Sequence, residues 1–203
     1  MITLITGSLI LSVLHALIPN HWLPVLAISK KENWTLSQTT SITFISGLSH
    51  ALSTVLIGTV IGVVGIELSS TVEPFTHYIA PGVLIGIGLF YIYQHHRHKH
   101  FHLHARSVAN SKRKAIITLA IAMFFSPCFE IEAYFLLAGT KGWWMIVLLA
   151  SLYTIVTVTG MVLWVRLTYK GLLKLNWHAL EHNAGIITGL TLLLTGILSF
   201  FIN

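Results

Sequence analysis

The chain has 203 residues, 55% of them apolar and 9% charged, with a net charge of +6. Such a composition indicates an integral membrane protein whose surface faces lipid or other helices, built as one membrane domain. The basic residues sit in short segments between apolar runs and form no single face, which argues against nucleic-acid binding, and the single cysteine, Cys128, excludes an internal disulfide or a thiol relay.

A bilayer core about 30 Å thick needs roughly 20 apolar helical residues, and six runs qualify: 2–29, 36–66, 75–94, 115–138, 143–168 and 184–202. No Lys or Arg precedes the first run, so Met1 is expected to open the first span and not a cleaved signal. Lys30, Lys31, Arg97, Lys99, Arg106, Lys112, Arg113, Lys114, Arg166, Lys170 and Lys174 follow runs one, three and five. Lys141 falls on the other side, and Glu67 and Glu73 follow run two. The positive-inside rule then predicts both termini outside the cytoplasm of a cell membrane, with the 1–2, 3–4 and 5–6 loops inside.

In the first run Ser8, Ser12 and His15 share one helical face, and the stretch His15-Ala-Leu-Ile-Pro-Asn-His21-Trp22 adds a second imidazole. Pro19 and Pro24 break the backbone there, at a depth where unpaired polar groups are costly, which reads as half of an ion-handling site. The second run carries Thr43, Gly47, His50, Thr54 and Gly58 at helical spacing, so His50 is a third inward imidazole; the plainer reading is a histidine satisfied by a neighbouring hydroxyl. Gly82 and Gly86 make the third run a packing helix. Its loop, 95–114, holds His95, His96, His98, His100, His102 and His104, a composition that captures Ni, Co, Zn or Cu without selecting among geometries.

The fourth run contains Phe125-Ser126-Pro127-Cys128-Phe129-Glu130-Ile131-Glu132. Proline frees a carbonyl and bends the helix, and two carboxylates supply acceptors that lipid would not tolerate. Ser126 and Glu130 share a face, whereas Glu132 lies about 200° round from Glu130, so one of the two glutamates faces the same cavity unless the helix unwinds; Glu132 reads equally as reaching the outer interface or as part of the site. Ser151, Thr154, Thr157 and Met161 form a hydroxyl stripe on the fifth run that glues helices or hydrates a passage. His178-Ala-Leu-Glu181-His182 precedes the sixth; its letters match a zinc-protease signature, but with no third ligand nearby it reads as an interfacial helix start. Runs one and four occupy corresponding places in two halves and cross in opposite directions, both interrupted by proline. The expected fold is therefore all-α: six transmembrane helices as two inverted three-helix repeats, helices 1 and 4 broken at proline, with a site near the midplane.

Taken together, His15-Ala-Leu-Ile-Pro-Asn-His21, Gly47-Leu-Ser-His50, the His-rich loop and Ser126-Pro127-Cys128 resemble the nickel/cobalt transporter (NicO) family over roughly residues 10 to 200. The resemblance implies a six-helix carrier, with His15 and His21 in the metal site and His50 as the second-helix histidine. Asn20 stands where many members have Asp or Gly, and Glu130 and Glu132 depart from the exporters' pattern. From the residues themselves, neutral His15, His21 and His50 with Glu130 and Cys128 form a mixed site suited to Ni²⁺, Co²⁺ or Zn²⁺ over Ca²⁺ or Mg²⁺. Asn20, Ser126, Glu132, His178 and His182 are secondary candidates. No phosphate-cradling loop is present, so no nucleotide is expected and counter-movement of H⁺ is the energy source to consider. A secondary transporter, with the His-rich loop suiting efflux, is the leading expectation, and no enzyme activity is expected. A His-ligated membrane metalloenzyme and a metal-buffering accessory protein are the alternatives, and small-residue motifs leave a homo-oligomer open.

Overall fold

Ile18 is where the first apolar run stops being one helix. A residue before proline is driven out of the helical region by the proline ring, and proline itself offers no N–H. Ile18 accordingly takes φ −64°, ψ 121°, and Pro19 occupies the first turn of a new helix, where a missing donor costs nothing. In this computed structural model the result is α1 (Ile2–Leu17) followed by α2 (Pro19–Lys31). Pro24 lies inside α2 and leaves the carbonyl four residues back without its helical donor.

The structure describes residues 1–67, 112–128 and 130–171, with further helical residues at 82, 85, 86, 88–90, 92, 93, 183, 186, 187, 189, 190, 192–194, 196 and 197. Among these the chain is all-helical, with no strand. The other elements are α3 (Leu36–Glu67), α4 (Lys112–Phe124), α5 (Glu132–Gly139) and α6 (Trp143–Tyr169). Three stretches are long and apolar enough to cross a membrane: Leu4–Lys31, Leu36–Glu67 and Trp143–Tyr169. The fourth run is divided, α4 ending before Pro127 and α5 beginning at Glu132. Most of runs three and six, the loop 95–104, and His178 and His182 lie outside the described residues.

The uninterrupted α3 is the centrepost, packed against α4, α5 and α6, while α1 crosses α6. Its contact with α5 is close enough to require glycine: a Cβ on Gly139 would run into the Gly62 carbonyl, one on Gly65 into the Leu136 carbonyl, and one on Gly58 into the Phe135 ring. Helices that cannot be driven together by hydrophobicity in lipid gain from such backbone approach. Gly82 and Gly86, expected to pack their helix, have no described atom within 4 Å of where a Cβ would sit; Gly88 makes the contact instead, against Gly189.

At one end of the bundle, Val25 of α2, Trp34, Ile42 of α3 and Ala115 and Leu119 of α4 form one apolar cluster, and the Tyr169 hydroxyl donates to the Trp34 carbonyl at 2.6 Å. Lys30, Lys31, Lys112, Arg113, Lys114, Arg166 and Lys170 therefore belong to helix termini at this end. Glu67 closes α3 at its far end.

Candidate metal centre

Four elements converge on one point. His15 comes from the last turn of α1, His21 from the first turn of α2, His50 from the middle of α3, and Cys128 from the break between α4 and α5. One ligand atom from each lies within 4.8 Å of the other three. The His15 and His50 rings are stacked with centroids 5.4 Å apart, and His21 is tilted against both, at 4.3 and 4.6 Å. All three imidazoles are buried; Cys128, with no disulfide, is half-buried.

Glu130 stands behind His15, outside the ligand group. His15 Nδ1–H donates to Glu130 Oε2 at 2.8 Å, which leaves Nε2 as the ring's ligand atom. A carboxylate on the far nitrogen of a metal-binding histidine is the usual means of fixing its orientation and raising its basicity. Glu130, expected from sequence as a ligand, is thus placed to hold one. His50 Nδ1 has no hydrogen-bond partner among the described residues, and Nε2 faces His15 Nε2 at 3.2 Å.

These separations suit a small cation. Four-coordinate binding with metal–nitrogen distances near 2.05 Å and metal–sulfur near 2.3 Å puts neighbouring ligands about 3.3 Å (N to N) and about 3.6 Å (N to S) apart. The His15 and His50 Nε2 atoms are 3.2 Å apart, and Cys128 Sγ is 3.7 Å from His21 Nε2. Nitrogen and thiolate sulfur are ligands for Zn, Co, Ni or Cu and poor ones for Mg or Ca.

The break that delivers Cys128 is itself tied down: the Cys128 N–H donates to Thr54 Oγ1 of α3 at 3.1 Å, and the Ser126 N–H to the Met123 carbonyl at 3.3 Å. Ser126 is exposed and contributes no ligand. Of the two readings of Glu132 the inward one holds: the unwinding before it leaves it 6% exposed, and neither oxygen has a hydrogen-bond partner among the described residues. Asn20 lies in the first turn of α2, and its side chain is outside the described residues.

One participant had only a faint sequence signal. The Tyr153 hydroxyl of α6 lies 3.2 Å from His15 Nε2, with ring centroids 5.6 Å apart. The buried face of α6 is Leu149, Tyr153, Thr157, Met161 and Val165, whereas Ser151 and Thr154 of the expected stripe turn away, Ser151 exposed with its hydroxyl bonded to the Val147 carbonyl. A tyrosine inside an apolar run looks like core; only its four-residue spacing from Thr157 and Met161 marks the face.

Compared with protein-family models, curated proteins and solved structures, the chain has no match.

Proposed function

We propose that the protein is a secondary transporter of a divalent transition-metal cation of the Ni, Co or Zn group. The observation that carries this reading is the convergence of three imidazoles and a thiol, from two interrupted helices and one continuous helix, inside an apolar helical bundle. Ionisable side chains in spans are expensive and are retained for pathways and sites. Interrupted helices near the midplane are how carriers build such sites, and six spans in two inverted halves, with rocking about the site, complete this proposal. The gathering of basic helix ends at one face of the bundle supports that face as cytoplasmic and both termini as external. The resemblance of the short sequence motifs to those of nickel/cobalt transporters is in keeping with this reading, and a cytoplasmic His-rich loop at 95–104 suits efflux. The imidazoles bind in their neutral form and the thiol only as thiolate, so each cation that enters displaces the Cys128 proton, and H⁺ counterflow is the coupling this reading proposes.

The test uses purified protein in sealed vesicles with Zn²⁺, Co²⁺ and Ni²⁺ offered separately. His15→Ala and His50→Ala each reduce flux of the transported ion to the level of empty vesicles while leaving the helical content and elution profile unchanged. Wild-type flux in either variant would reject the site. Metal that stays bound stoichiometrically through dialysis, without flux, would favour a resident metal centre over cargo.

A further inference from the structure

His15 has one ligand atom to offer, and in this structure that atom is already engaged. Its Nδ1 is committed to Glu130 at 2.8 Å, and its Nε2 faces the Tyr153 hydroxyl at 3.2 Å as well as His50 Nε2. With the ring proton on Nδ1, Nε2 accepts from the Tyr153 hydroxyl, and a cation bonded to Nε2 at about 2.0–2.1 Å uses the same lone pair and must displace that hydrogen bond. Tyr153 is 1% exposed and held on the packed face of α6, so its hydroxyl cannot turn to water.

It has another place to go. The hydroxyls of Thr54 and Thr157 both interact with the phenol oxygen. Thr54 Oγ1 already accepts the Cys128 N–H. Thr157 Oγ1, one turn along α6 from Tyr153, is fully buried and makes no well-formed hydrogen bond. A buried hydroxyl whose contact with the phenol falls short of a well-formed hydrogen bond is costly, and it is the independent sign that a second arrangement exists here, with the phenol donating fully to Thr157.

We propose that Tyr153 is a positioning residue that keeps the metal site closed: its hydroxyl competes with the incoming cation for His15 Nε2 and transfers to Thr157 when the cation binds. The inference rests on the reading of this cluster as a metal site and gives that site a means of release. A site in a carrier must bind well enough to load and weakly enough to discharge. A hydroxyl that returns to His15 as the cation departs lowers affinity without removing a ligand, and Thr157 keeps the exchange reversible because the phenol is hydrogen-bonded in both states.

The experiment measures Co²⁺ affinity of the purified full-length protein in detergent, by chelator competition and by the visible absorption of the bound ion. Tyr153→Phe, which removes the competitor and keeps the ring, binds Co²⁺ about fivefold tighter, the value of one neutral hydrogen bond. Thr157→Val, which removes the alternative acceptor, binds about fivefold more weakly. In the double variant the Thr157→Val effect disappears, because the two residues act through one hydrogen bond. Thermal unfolding checks that all three remain folded. Weaker or unchanged binding in Tyr153→Phe would overturn the proposal, since a ligand or a merely structural tyrosine gives that sign. A Thr157→Val effect that persists in the double variant would overturn it as well. Failure of the wild-type protein to bind Co²⁺ would instead overturn the metal reading itself.

Discussion

Glu130→Gln isolates the contribution of charge to the metal centre. The glutamine keeps an acceptor oxygen beside His15 Nδ1 and removes only the carboxylate's charge. The bond it weakens is short, 2.8 Å, between side chains that are 1% and 9% exposed, so water does not screen it. Hydrogen bonds to charged groups are worth about 1.5–3 kcal/mol, roughly twice a neutral one. Half of that, about 0.75–1.5 kcal/mol, corresponds to roughly a four- to twelvefold fall in affinity, since about 1.4 kcal/mol is a factor of ten. Glu130→Ala removes the bond altogether and frees the ring to rotate, which extends the loss toward about a hundredfold, the usual range for deleting a partner behind a metal-binding histidine. Co²⁺ titration of the purified variants reads both numbers, and the absorption of the bound ion reports whether the ligand set is intact. The expected outcome is a graded loss, wild type above Gln above Ala, with the same spectrum in wild type and Gln. Equal affinity in wild type and Glu130→Gln would refute the orienting role, and a spectrum already altered in Gln would make Glu130 a ligand after all.

Cys128→Ser replaces a thiolate with a hydroxyl that does not ionise at neutral pH; Co²⁺ affinity falls by about tenfold or more and the sulfur-to-cobalt charge-transfer absorption of the wild-type complex vanishes, whereas a wild-type complex without that band, or unchanged affinity in the variant, would place the metal elsewhere. Gly139→Ala sets a methyl group against the Gly62 carbonyl, where backbone faces backbone and neither can yield, so about 3 kcal/mol or more of stability is lost, read as a lowered unfolding temperature in detergent. Gly82→Ala is the matched control: with no described atom near the new methyl group it leaves that temperature unchanged or slightly raised, and a large drop there would mean this glycine is packed after all.

The elements that sequence made legible are those set by local chemistry. Proline after Ile18 dictates a break whatever surrounds it, and the polar faces Ser8–Ser12–His15 and Thr43–Gly47–His50–Thr54 turn inward because lipid accepts none of them; all of these positions are buried. What was not legible depends on the backbone between helices. Helical spacing separates Glu130 from Glu132 only while the helix continues, and residues 125–128, 130 and 131 are not helical, so both carboxylates end up buried. Tyr153 escaped notice for a different reason: its apolar ring fits an apolar run, and its hydroxyl acquires a meaning only when α1 brings His15 to it. Gly82 and Gly86 had the spacing of a packing motif, but a motif does not say which neighbour is present, and Gly88 meets Gly189 instead.

The interruptions in the first and fourth runs have a geometric consequence that continuous helices cannot supply. In an unbroken α-helix, residues six apart lie about 9 Å along the axis and about 120° apart around it, so His15 and His21 would face different neighbours. With Ile18 extended between them, their ring centroids are 4.3 Å apart. The second break does the same for neighbours in sequence: two residues apart in a helix means about 200°, yet Cys128 Sγ reaches His21 at 3.7 Å while Glu130 reaches His15 at 2.8 Å. Breaking a helix in an apolar slab exposes backbone groups that must be paired, and here they are, the Ile18 N–H with the His15 carbonyl at 3.0 Å and the Cys128 N–H with Thr54. The continuous α3 offers the cluster a single ligand, His50, plus the hydroxyl that steadies the second break. A residue at position 19 that let α1 run on through Ile18 would preserve the span, its length and its hydropathy, and would still swing His21 out of the cluster.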